Sequence, residues 1–131
     1  MRSLVYSLCL VPLGMPAMAA DGPLKEVAYI SEGLIIAAMV VEIDSKCDTI
    51  DVRLLRGINF LSGLKNHARD LGYSAAEIDA FINDAEEKAR LEAIARDRLA
   101  ALGVTASDNA SYCTVGEAEI AANTSVGRLL R

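Results

Sequence analysis

The chain has 131 residues, enough for one domain and no more. It carries 18 acidic against 13 basic side chains, a formal charge of −5, which argues against broad binding to nucleic acid or anionic membranes. A single histidine and three cysteines leave few side chains for metal or nucleophilic chemistry.

Residues 1–20 read as a cleaved secretory signal. Arg2 is a minimal basic start, and Leu4 to Val11 form a short apolar run. Pro12, Gly14 and Pro16 interrupt it, and Ala17-Met18-Ala19 supplies the small-x-small pattern, so cleavage is expected after Ala19 or Ala20. Residues 21–131 then form a single helical domain, large enough to bury about 65% of its unfolded surface. Loss of Arg2 leaves 12 basic against 18 acidic side chains, or −6. Cys9 leaves with the signal, and no small-residue context marks it for a lipid anchor. Cys47 and Cys113 remain in an exported, oxidising setting, which predicts a disulfide. It would close a loop of roughly 67 residues and contribute roughly 4 kcal/mol in the chain-entropy account.

The first helix is predicted from about Leu24 to Lys46. Its centre, Gly33 to Val41, is the most apolar stretch after the signal. A helix apolar on all sides is covered on all sides. Either the other helices cover it, or part of one face meets another chain, a second copy included. The run is too short for a bilayer, which takes about 20 residues, so no membrane span is expected.

Asp44, Asp48 and Asp51 cluster next, but the calcium-loop pattern is absent and no metal site is expected. Asp48 instead suits an N-cap, with Asp51 in the first turn of a second helix. That helix is predicted from about Thr49 to Leu71, with Ile50, Leu54, Ile58, Leu61, Leu64 or Lys65, Ala68 and Leu71 as its buried stripe. Gly72 follows as its cap.

Ser74-Ala75-Ala76-Glu77 is a capping box, and Tyr73 with Ile78 has the spacing of a hydrophobic staple, so a third helix starts at Ala75. Its early stripe of Ile78, Ile82, Ala85 and Ala89 is rotated from its late stripe of Leu91, Ala95, Leu99 and Leu102. A break near Asn83-Asp84 reconciles the two. Glu86 with Arg90, and Glu92 with Arg96, have the spacing of solvated ion pairs. Gly103 ends the helix. Residues 104–112 read as a polar loop, and Thr114-Val115-Gly116-Glu117 as the capping box of a last helix. Gly116, Ile120, Thr124 and Gly127 would share one side of it, close against the first helix. Its two glycines favour fraying of the tail.

Little catalytic chemistry is available. His67 has no nucleophile motif to serve, no zinc ligand set survives once the cysteines pair, and no glycine loop cradles phosphate. No catalytic residue, metal or cofactor is assigned, and enzymatic activity is not expected. One strip stands out on the second helix, where Arg53, Arg56, Phe60 and His67 share a face beside Gly63. It suits an acidic partner or a small anion, or it is the shoulder of an amphipathic helix with Phe60 tucked in.

Several stretches carry a resemblance. These are Leu24-Lys25-Glu26-Val27, Cys47-Asp48-Thr49-Ile50-Asp51, the run Lys65 to Tyr73, Glu86-Glu87-Lys88-Ala89-Arg90 and Cys113 to Arg131. Over nearly all of the mature chain they resemble a family of small exported bacterial proteins grouped only as a domain of unknown function. The resemblance implies a periplasmic helical domain and brings no activity with it. In format alone the chain is also similar to periplasmic acid-stress chaperones and to immunity proteins.

The expected fold is all-α, an irregular bundle of four helices, five if the third is broken, stapled by Cys47 and Cys113. The expected function is a non-enzymatic periplasmic interaction protein that binds another protein through a helix face. The alternatives are an acid-activated holdase, and a small-ligand binding or immunity-type inhibitor protein.

Overall fold

The computed structural model describes residues 22–131. The signal, its cleavage site and Cys9 lie outside the described residues. A 3-10 turn, Leu24–Glu26, leads into five helices: α1 (Ala28–Lys46), α2 (Leu54–Asp70), α3 (Ala75–Ile82), α4 (Ala85–Leu102) and α5 (Asn109–Ala121). A second 3-10 turn, Gly127–Leu129, closes the chain. Among the described residues there is no strand, only an isolated antiparallel bridge between Val52 and Leu130. The fold is all-α, in its five-helix form.

α1 is the hub and packs against α4, α2 and α5. Its Ile35, Met39, Val40 and Ile43 are buried together with Leu91, Ala95 and Leu99 of α4 and Tyr112 and Val115 of α5. A smaller cluster joins Leu24, Ile30, Leu64, Ala68, Tyr73 and Ile78. α2 approaches α1 closely because position 33 is glycine. A Cβ there would lie 2.5 Å from a Leu64 methyl. Gly116 does the same for α5, where a Cβ would stand 2.7 Å from Ile50 and 2.9 Å from Ile43. The helix hub is not wrapped completely, since Val41 is exposed.

Local signals place the middle of the chain. Ser74 and Glu77 form the reciprocal capping box of α3. The break falls at Asn83 and Asp84, where the Asp84 carboxylate accepts from Glu87 N at 3.0 Å and starts α4. Gly103, at φ +115°, ends α4 in the left-handed region. The Cys47–Cys113 disulfide, with S–S 2.01 Å, ties the end of α1 to α5.

Four expectations are corrected. First, α2 starts at Leu54, not near Thr49, and Asp48 does not cap it. Asp51 exchanges two main-chain hydrogen bonds with Arg131, at 3.0 and 2.9 Å, and Arg53 N donates to Leu129 O at 2.8 Å. The Asp44 carboxylate accepts from Val52 N at 3.1 Å. These bonds hold residues 51–53 extended against the C-terminus.

Second, α5 starts at Asn109, capped by Asp108, whose carboxylate accepts from Ala110 N at 3.0 Å. Thr114 therefore lies inside the helix, and its hydroxyl donates to Ala110 O at 3.2 Å. Third, the tail is folded rather than frayed. α5 stops at Ala121, Asn123 turns the chain at φ +52°, and the Thr124 hydroxyl accepts from Gly127 N at 3.0 Å. Gly127 then sits so close to α5 that a Cβ would fall 1.9 Å from Glu119 O. Leu129 and Leu130 reach the main core beyond it. Fourth, the charged pairs of α4 use other partners. Arg90 pairs with Glu87, Lys88 with Glu92, and Arg96 crosses to Glu42 of α1 at 3.2 Å.

Candidate functional site

α2 holds both candidate surfaces, one on each flank of its contact with α1. The basic-aromatic strip occupies the first flank. Arg53 Nε donates to Leu130 O at 2.8 Å, and Arg56 Nη1 donates to Arg128 O at 3.2 Å. Both guanidinium groups thus brace the main chain of the C-terminal segment. Phe60 is half-buried against both apolar clusters. His67 is half-buried too, and its ring centroid lies 4.4 Å from that of Tyr29 on α1. The structure brings the four residues onto one flank and gives all four contacts within the fold through their polar or aromatic heads.

The second flank is apolar and open. Leu54, Leu55, Ile58 and Leu61 are exposed by 70, 77, 50 and 46%. Leu54, Ile58 and Leu61 were expected in the buried stripe with Leu71, which is also exposed. Only Ile50, Leu64 and Ala68 of that stripe are buried. Helical periodicity explains the split. Gly57, Phe60, Leu64 and Ala68 form one row, and Leu54, Ile58, Leu61 and Lys65 form the row beside it. One neighbouring helix covers one row. The sequence signal that reveals the second row is an apolar arc wider than the one row that α1 covers.

A groove lined by α1, α3 and α4, with no α2 residue among the described residues of its lining, is a second apolar feature. Its floor is Leu34, Ala37, Ala38 and Val41 of α1, and its walls include Phe81 and Ile82 at the end of α3 and Leu91 of α4. The cavity measures about 320 Å³. The rim carries Glu42, Glu87, Lys88 and Glu92. His67 meets Tyr29 on one side of the α1–α2 contact. The row of Leu61 and Leu54 therefore points to the other side, where Ala37 and Val41 follow Gly33 and Leu34 along α1. Helix geometry thus puts ridge and groove on the same side of the α1–α2 contact.

The ionisable groups near this face are structural. A hydrogen-bonded Arg90 holds the Glu87 carboxyl below its ordinary value of 4.5 against the opposing effect of burial. Arg98 does the same for Glu32, through a two-pronged contact that links α4 to α1. Among the described residues no group of three His, Cys, Asp or Glu side chains is placed to hold a metal ion. No described helix is long and apolar enough to cross a membrane.

A family model described as a family of unknown function, DUF5333, matches residues 22–131. No curated protein and no solved structure matches the chain significantly. The match spans every described residue and agrees with the resemblance carried by its cysteine-flanking and C-terminal motifs; the chain belongs to this family.

Proposed function

Starting from membership of a family with no assigned activity, we propose that this chain is an exported, non-enzymatic interaction protein. It binds another protein chain through the apolar face made by the α2 ridge and the groove. The observation that carries the reading is the run of four large aliphatic side chains on one flank of α2, each at least 46% exposed. Scattered exposed leucines are ordinary, but a contiguous apolar face bordered by charged residues marks a docking surface. The disulfide supports export, because such bonds persist in oxidising compartments. The single histidine packs its ring on Tyr29, which supports a structural role for it.

The test is photo-crosslinking in the living source bacterium. A photoreactive residue at Leu55 or Ile58 is expected to give a defined adduct. The same residue at Asp97, exposed on α4, is expected to give none. Equal labelling at all three sites, or none at the ridge, removes the reading.

One observation favours a second reading, the acid-activated holdase. The α1–α4 seam is crossed by Glu32–Arg98 and Glu42–Arg96, and Arg98 holds the Glu32 carboxyl below its ordinary value, a contribution that acid removes. Loosening that seam would widen a face that is already apolar. Dye binding on acidification together with suppressed client aggregation supports the holdase. A bundle unchanged in acid excludes it.

A further inference from the structure

We propose that the occupant of this face is a second copy of the chain. The two protomers form a two-fold dimer in which each α2 ridge lies in the other's groove. The inference rests on the reading above, that the ridge and groove are the binding face, and names the partner.

In a two-fold contact the same patch appears on both sides, so it has to complement itself. A ridge lying beside a groove meets that condition. A half-turn about an axis lying in the interface along the boundary between them sets each ridge over the opposite groove and runs the two α2 helices parallel. Leu55 and Leu54, exposed by 77 and 70%, are the most outward apolar side chains of the ridge, with Ile58 half-exposed beside them. Val41 and Ile82, exposed by 60 and 55%, are their counterparts in the groove. Together these residues supply the apolar centre that a stable interface requires.

Charge selects the same occupant. From Leu54 to Arg69, α2 contains no carboxylate, and beyond Arg56 on the bracing flank it carries Lys65 and Arg69. Lys65 lies in the ridge row, and Arg69 lies beside it. The groove rim carries Glu42, Glu87 and Glu92 against Lys88 alone. The groove therefore calls for an apolar helix with cations at its flank, and α2 of the same chain is such a helix. The rim acids already have intrachain cations, Arg96 for Glu42, Arg90 for Glu87 and Lys88 for Glu92, while Lys65 lies 3.9 Å from Asp79. Of these pairs, Lys88–Glu92 and Lys65–Asp79 are long and exposed, and such surface pairs exchange partners at little cost. Docking a cationic flank on an acidic rim also offsets the repulsion between two acidic chains.

The test uses the full chain, expressed with its leader and purified in the oxidised form, with mass measured by light scattering over a dilution series. A dimer that dissociates on dilution is expected. Ile58→Glu and Leu55→Glu on the ridge, and Val41→Lys in the groove, are each expected to give monomers with unchanged helical circular dichroism, melting like the wild type diluted to monomer. Lys65→Glu is expected to weaken the dimer by about tenfold, and adding Glu92→Lys in the same chain to restore most of the loss. A monomer at the highest attainable concentration overturns the proposal. So does a dimer that survives all three apolar-face variants, since it uses another surface. If the chain is monomeric and Ile58 crosslinks to a protein of different mass, the dimer fails while the interaction reading stands. If Ile58 gives no adduct at all, both fail.

Discussion

The two flanks of α2 do opposite work. On one, Arg53 and Arg56 spend their guanidinium donors on carbonyls of the C-terminal segment, and His67 rests on Tyr29. On the other, Leu54, Leu55, Ile58 and Leu61 remain 70, 77, 50 and 46% exposed. Polar side chains brace the structure, and apolar ones are left for a partner. The difference follows from what lies opposite each flank. A returning C-terminal segment offers main-chain carbonyls that need donors, and arginine reaches them while its stem covers apolar surface. The groove side offers no such groups, so only aliphatic surface accumulates there. Side-chain polarity on a helix thus says less about burial than the identity of the facing element does.

This contrast can be broken most severely at its anchor. The bracing flank depends on the C-terminal segment and on the 47–53 connection, both held near α5 by the disulfide. Replacing Cys47 and Cys113 by alanine is expected to cost about 4 kcal/mol of unfolding free energy, measured by denaturant titration, with the ridge as exposed as before. Leu130→Ala comes next. Leu130 is fully buried, and its truncation is expected to cost about 3 kcal/mol, a loss typical of a cavity that cannot collapse.

Arg53→Ala sharpens the comparison. It removes the side-chain donor to Leu130 O and is expected to cost about 1–2 kcal/mol, with faster amide exchange in residues 128–131. Ile58→Ser, on the open flank, is expected to change stability by less than about 0.5 kcal/mol while reducing crosslinking at the ridge. A stability loss at Ile58 larger than that at Arg53 would reverse the assignment of the two flanks.

Acid gives the smallest and most graded effect. Glu32 and Glu87 have carboxyl groups held below 4.5 in the folded state by Arg98 and Arg90. Their contribution is complete above that unfolded value and is lost as pH falls through the lowered folded values. Both groups form ion pairs with exposed arginines, so a modest decline of the melting temperature on the acid side is expected, reduced in the Glu32→Gln variant.

How much of this was readable in advance divides along physical range. Ser74 and Glu77, Asp84 and Glu87, and Gly103 act within one helical turn, so the start of α3, the break before α4 and the end of α4 were legible as written. The even cysteine count beyond Cys9 likewise marked Cys47 and Cys113 as partners. The start of α2 was not legible. Asp48 and Asp51 have the chemistry of a cap, but Asp51 is drawn into main-chain pairing with Arg131 at the far end of the chain. Thr114 imitated a cap for the same reason that Asp108 became one, since both place an oxygen ahead of a helix-forming run. The upstream residue prevailed because it satisfies the first amides of a longer helix.

By itself, then, the amino-acid order determined the helical content, most helix ends, the sulfur pairing and the apolar hub. Those properties arise from hydrogen bonds a few residues long and from apolar periodicity. Tertiary structure alone decided which row of α2 is covered, that its arginines are braces, and that a ridge stands open beside a groove. Coverage depends on how many elements surround a helix and from which direction the chain returns, and no local pattern encodes either.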